Sequence, residues 1–445
     1  MLRIYEEHLE IPVTQGHHGL LFYLAETVRH HLPRGLLPVR FTIIETTTST
    51  YKCELGVIAG LQDKQLEHSC SIFDFAPRVT DNTSHFNAVL LVPTGIGCEI
   101  GGHAGDANPV ARTLASVCDT LITHPNVVNG SDLNDLPENG LYVEGSVITR
   151  LLLGSSGIQP VRSNRVLTII DEHPDHVFTD AAINSVSAAR SSYGLRCPVI
   201  VRLDPPIYLK SEYAPSGRAV GIVERMQGLV AALEEYKGQY DAVAISTQID
   251  VPSNYHVDYY TARGQMINPW GGVEALLTHS LSSMYDIPTA HAPMLESHDI
   301  ANIDLGPVDP RMAAEDISTA FFMCVLKGLQ RSPRIVRDIR GGNRPGVLTA
   351  SDVSCLIIPD NCIGLPTLAA LEQNIPVIAV RENKNIMHND LSALPWAAGQ
   401  FYSVDNYLEA AGVMSALKQG VDPATLRRPL ADTHHVKRVN PGRQK

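Results

Sequence analysis

Short apolar runs recur along this chain, each closed by a turn and followed by a helical stretch. Those at 88–92, 166–170, 199–203, 241–245, 287–292, 353–358 and 375–380 are rich in valine, isoleucine, leucine and alanine. Runs of that length, apolar at successive positions, read as strands buried on both faces. The stretches between them carry apolar residues at helical spacing, such as Leu20, Leu21, Leu24 and Val28. A β-α-β-α order with doubly buried strands calls for parallel sheets covered by helices. The expected fold is α/β: Rossmann-like parallel sheets flanked by helices, in two lobes with a cleft between them.

A chain of 445 residues is long enough for two or three domains. The expected units are an opening α/β segment at 1–80, a glycine-turn lobe at 81–206, a second lobe at 207–400, and a closing helix with a mobile basic tail at 401–445. Within them, 207–218 reads as a polar loop, 219–236 as one long amphipathic helix and 313–329 as another. The tail carries Arg427, Arg428, Lys437, Arg438, Arg443 and Lys445.

Net charge is −12, which lacks the basic footprint of a nucleic-acid binder. No apolar run approaches the roughly 20 residues that span a bilayer. The opening MLRIYEEHLE lacks the apolar centre of a signal peptide. The expectation is therefore a cytoplasmic protein with no membrane or nucleic-acid partner. The eight cysteines are scattered without a C-x-x-C pair and read as reduced thiols. The doublets His17-His18 and His30-His31 read as surface histidines, because neighbours on a helix point about 100° apart and chelate poorly.

The stretch 87–118, NAVLLVPTGIGCEIGGHAGDANPVARTLASVC, is the most informative. A buried strand runs into a turn with Gly95, Gly97, Gly101, Gly102 and Gly105, and Asn108-Pro109 then opens a helix as N-cap and first residue. Backbone N–H groups at such a corner can bind an anion. Neither G-x-G-x-x-G nor a P-loop is present. The alternative is a long tight turn whose polar groups bond their own backbone.

In open parallel sheets ligands bind beyond the C-terminal strand ends. Those ends hold Thr94, Cys98, Glu99, His103 and Asp106; Asp171, Glu172 and His173; Thr247, Gln248 and Asp250; His291, Glu296 and His298; and Asp360, Asn361 and Cys362. Cys98 and Cys362 lie in strand-to-helix turns, where a helix N-terminus lowers a thiol pKa. Two facing thiols would move a proton across a carbon, and small buried core cysteines are the plain alternative. His103-x-x-Asp106 with His124 is a second option, as ligands to a divalent metal; no other cofactor is indicated. Capture of a phosphate or carboxylate by the turns, helped by Arg112 or Arg381, is a third.

The segments TGIGCEIGGHAGDANPVA, LITHPNVVNG, LYVEGS and DNCIGLPTLAALEQNIPVIAV resemble a family described as a domain of unknown function, common in cyanobacteria and found in other bacteria. The resemblance spans about 85–400. It implies a bacterial, cytosolic protein and transfers no catalytic residue.

Three functions follow as expectations. The first is a racemase, isomerase or lyase acting on a small anionic metabolite of the amino acid or hydroxy/keto acid class. Its acids, bases or nucleophiles are Cys98, Glu99, His103, Asp106 and Cys362. Its substrate contacts are Thr94, Gly95, Gly97, Gly101, Gly102, Asn108, Asp250, Asn361 and Gly364. The second is a metal-dependent hydrolase on His103, Asp106 and His124. The third is a regulator that binds a nucleotide or metabolite without chemistry. A homo-oligomer is compatible with each.

Overall fold

The structure, a computed structural model, describes residues 2–14, 19–62, 71–318, 321–337, 339 and 344–438. The doublet His17-His18, Cys70, Arg443 and Lys445 lie outside the described residues. The fold is α/β, with helices packed on two sheets.

One sheet is parallel throughout. Its order is Phe401–Val404, Val377–Val380, Cys355–Pro359, Asn87–Leu90, Thr120–Thr123 and Gly140–Tyr142. Every residue of Asn87–Leu90 is buried, as the apolar run predicts. This strand sits between Thr120–Thr123, which follows it in sequence, and Cys355–Pro359, which comes much later in the chain. Chain direction therefore splits at its C-terminal end, the place where such sheets open a crevice.

The other sheet has ten strands and is mixed. Arg165–Asp171, Arg196–Leu203, Ala242–Asp250 and Thr289–Met294 pair in parallel. Arg3–Pro12, Leu37–Thr46 and Thr50–Ala59 pair antiparallel, with Thr50–Ala59 in the middle, and Arg3–Pro12 pairs antiparallel with Ala219–Glu224 on its other side. The all-parallel expectation is corrected here: a turn of three residues joins Leu37–Thr46 to Thr50–Ala59, and a turn so short allows only antiparallel pairing. Both sheets draw strands from several of the sequence segments, as where Ile363–Gly364 pairs with Leu37–Thr46.

A second correction concerns 207–236. The expected loop and single helix are a hairpin, Tyr208–Tyr213 with Ala219–Glu224, followed by the helix Gln227–Glu235. Val220, Ile222 and Val223 suit a pleated surface better than a helix, and Gly217 turns the chain at φ 86°. The expected helix 313–329 is likewise two, Ala313–Asp316 and Phe322–Gln330. The closing helix stands at Tyr407–Lys418, and residues 431–438 after it are exposed and without helix or strand.

The glycine-rich turn is held against the hairpin. Gly95 has φ 79°, its carbonyl accepts from the Ala219 N–H at 2.9 Å, and an added Cβ would stand 2.6 Å from the Ala219 carbonyl oxygen. Gly95→Ala is therefore expected to cost about 1–3 kcal/mol, read as a lower urea midpoint at unchanged slope. A loss below about 0.5 kcal/mol would show that this contact does not hold the turn.

Candidate functional site

The C-terminal ends of the parallel strands open into a cavity of about 200 Å³. The turn after Asn87–Leu90 supplies Thr94, Gly95, Gly97, Gly101, Gly102 and His103 to its wall. His124 follows Thr120–Thr123, Glu144 follows Gly140–Tyr142, and His291 lies on Thr289–Met294. His256, Trp270, Glu274, His279 and Glu315 are also part of the lining. Five histidines and three glutamates thus share one small space. Among the described residues that line it there is no lysine or arginine.

His103 ends a buried chain of hydrogen bonds. Its Nδ1 lies 2.6 Å from the Tyr259 hydroxyl, which donates to Glu315 Oε2 at 2.7 Å. Glu315 Oε1 accepts from the Ala104 N–H at 2.8 Å and from Asn268 Nδ2 at 3.2 Å. Burial holds His103 neutral, its pKa lowered to about 4. With the phenol donating to Glu315, Nδ1 carries the imidazole proton and Nε2 is the basic nitrogen. Burial also raises Glu315 to about 7, against the bonds from Tyr259 and Ala104 that favour its anion.

This raised carboxyl predicts a pH dependence. The folded chain keeps the Glu315 proton where the unfolded chain loses it, so the stabilisation is full below about 4.5 and lost as pH rises through about 7. Glu315→Gln keeps a neutral side chain throughout. Its stability relative to the native chain is expected to climb by on the order of 3 kcal/mol across that window, measured by denaturation at stepped pH. A difference independent of pH would reject the assignment.

His279 is the second chain. Its Nδ1 bonds Glu144 Oε1, whose other oxygen accepts from the Ser146 N–H at 3.0 Å and from the Ser146 hydroxyl. Burial alone would raise the Glu144 pKa, but His279 and the Ser146 hydroxyl outweigh it and hold the carboxyl below its ordinary range. An anionic carboxylate on Nδ1 fixes the tautomer with Nε2 basic. Gly145 keeps the ring's place clear, since a Cβ there would stand 3.1 Å from His279 Cε1. His124, lowered by burial to about 4, accepts the Val92 N–H on Nε2 at 3.1 Å, leaving Nδ1–H as a donor.

The remaining histidines belong to other elements. His291 Nε2 lies 2.8 Å from Thr247 Oγ1, while its Nδ1 is buried with no hydrogen-bond partner among the described residues, 3.7 Å from Glu274. His256 Nε2 lies 3.2 Å from Glu296 and its ring packs on Trp270, centroids 4.9 Å apart.

The structure divides the residues singled out in the sequence. Thr94, Gly95, Gly97, Gly101, Gly102, His103 and His124 line the cavity. Glu99 lies outside, ion-paired to Arg311 at 3.0 Å. Asp106 accepts the Gly101 N–H at 2.9 Å, and burial raises its carboxyl to about 7. Asp250 accepts from the Tyr208 hydroxyl at 2.8 Å. The Asn361 carbonyl accepts from Asn389 at 2.8 Å. Asn108 is the first helical residue, not the cap, which is Ala107. None of these five lines the cavity.

Both thiols singled out in the sequence are buried, and burial raises the pKa of Cys98 and Cys362. Cys98 is packed in the core and Cys362 faces a neighbouring cavity with Gly364. Part of the expected anion-binding corner is already engaged. The Ile100, Gly101 and Ala104 N–H groups are committed to Asn383, Asp106 and Glu315, and Arg112 and Arg381 pair with Asp135 and Asp405 away from the cavity. No group of three or more histidine, cysteine or acidic side chains placed to hold a metal ion occurs among the described residues, so His103, Asp106 and His124 do not form one.

Tyr259, Glu274, His279 and Glu315 escape a search of strand ends because helices carry them, and Glu144 follows a strand of only three residues, Gly140–Tyr142. One signal was available: a glutamate before Gly-Ser at a helix start is a rare N-cap, and here it also holds His279.

Residues 87–427 match the family described as "Protein of unknown function (DUF3326)". An uncharacterized lipoprotein of Synechococcus sp. is 34% identical over 365 residues, covering 80% of this chain and 98% of that protein. No solved structure matches the chain. Among the described residues no helix is long and apolar enough to cross a membrane.

Proposed function

The chain belongs to the DUF3326 family, and for it we propose an acid–base enzyme of the isomerase or lyase type. Two histidines act in one cavity: His279, held by Glu144, and His103, backed by Tyr259 and Glu315. One removes a proton from a carbon of the bound molecule and the other returns a proton to a neighbouring atom or to the opposite face. The observation that carries this reading is that two separate histidine–carboxylate chains end in the same space of about 200 Å³. The roles expected of the thiols pass to these histidines. A substrate without net negative charge suits the wall better than the anionic class, because glutamates line it and no lysine or arginine does. A cytoplasmic location is part of this reading, supported by seven described cysteines that are all free; recovery in the membrane or exported fraction of the host cell would overturn it.

The test is exchange in D₂O. The native protein is incubated with pooled amines, amino acids and hydroxy acids, and deuterium at carbon is read by mass spectrometry. Incorporation into one chemical class, abolished in His103→Asn and His279→Asn, is expected. Tight binding of a pool member with no exchange would replace the enzyme by a ligand-binding protein.

A further inference from the structure

A second cavity of about 120 Å³ lies beside the first. Pro93, Thr94, His124, Gly145, Ala275 and His279 face both spaces. The common wall includes a glycine and an alanine, Gly145 and Ala275, the smallest side chains a wall can have. Beyond that wall the second cavity is mostly apolar, with Val39, Phe41, Leu91, Ile96, Ile358 and Leu365 in its lining. Arg40 also borders it, but its guanidinium is committed to Glu6 at 3.3 Å and to the Thr94 carbonyl at 3.2 Å.

The two halves differ in chemistry. The first is lined by Glu144, Glu274 and Glu315, by Trp270 and Tyr260, and by His291, whose Nδ1 is buried without a hydrogen-bond partner among the described residues. Glutamates beside aromatic rings, with no lysine or arginine lining the space, favour an ammonium group. The second offers mainly apolar surface and no carboxylate, with the hydroxyls of Thr42, Ser146 and Thr149 at its edge.

From this juxtaposition, and resting on the acid–base reading of the first cavity, we infer that the ligand is an amine with a short apolar tail. The ammonium head lies among the glutamates and aromatic rings, and the tail crosses the Gly145–Ala275 wall into the second cavity. The tail sets specificity while His103 and His279 act on the head.

The test uses straight-chain alkylamines from methyl to hexyl and alkylcarboxylates of the same lengths, titrated calorimetrically against the full chain. Amine affinity is expected to rise about fourfold per methylene, the conversion of about 0.8 kcal/mol per buried CH₂, and then to level off when the tail space is full. Carboxylates of equal length are expected to bind at least about tenfold more weakly, one factor of ten per 1.4 kcal/mol. Thr149 lines the second cavity alone. Thr149→Met is expected to end the rise at shorter chains while methylamine binds as before, and Thr149→Ala to extend it to longer ones. Amine affinity independent of length, or carboxylates binding as tightly as amines, would overturn the inference and leave the acid–base reading in place. If the native chain binds neither series while it exchanges deuterium into some other class, the amine assignment alone is wrong. Absence of both binding and exchange removes the two together.

Discussion

His279→Asn is expected to lower deuterium exchange at the substrate carbon by about 10²–10⁴-fold, the usual contribution of one positioned acid or base. Asparagine preserves a polar group near Glu144 but has no nitrogen that can take a proton at neutral pH. Glu144→Gln should act through the same ring. Its carboxylate accepts from His279 Nδ1 and from both Ser146 donors, and an amide in its place offers donors that conflict with them. The histidine then loses its fixed tautomer. Exchange in Glu144→Gln is expected to fall with a changed pH profile, whereas a purely structural role would lower the folded fraction and leave the profile of the remainder unmoved. Exchange within about threefold of native in His279→Asn, against the decades that acid–base catalysis supplies, would remove this residue from the mechanism.

Arg218→Ala is expected to destabilise the fold by about 3–5 kcal/mol. Arg218 is fully buried and bonds both Glu54 and Glu6, which are themselves buried. Arg40 completes the cluster on Glu6, and burial, followed by the neighbouring Arg218, lowers its pKa to about 10. Arg218 and the partly exposed Arg40 therefore balance the Glu54 and Glu6 side chains. Truncating Arg218 leaves Glu54 without its guanidinium, and desolvation of an unmatched carboxylate is the dominant cost. The cluster joins Arg3–Pro12, Leu37–Thr46 and Thr50–Ala59 to the loop before Ala219–Glu224, and through Arg40 reaches the Thr94 carbonyl on the cavity wall. Denaturant unfolding measures the loss. Restoration of part of it by Arg218→Ala with Glu54→Gln would identify the unpaired charge as its source, and a loss under about 1 kcal/mol would mean the cluster contributes no more than a surface pair.

The parallel sheet was legible because its strands are short, apolar and separated by helices. Val89, Leu90, Ile357 and Ile378 announce burial on both faces. The hairpin at 208–224 was not, because the spacing of its valines and Ile222 also suits one face of a helix, and period alone does not separate the two over so short a run. At the site, the glycine turn and His103 stood out by composition. Their partners did not: Tyr259 and Glu315 lie 156 and 212 residues from His103 in the chain, and His279 lies 135 residues from Glu144.

Local order along the chain determined where strands, helices and the glycine corner form, since those depend on the periodicity of apolar residues and on backbone freedom within a few positions. Only tertiary packing decided which groups ionise and which face one another. Burial of Cys98 and Cys362 and the pairing of His279 with Glu144 arise between segments far apart in sequence, and the desolvation and Coulomb terms that set a proton's affinity exist only once those segments meet.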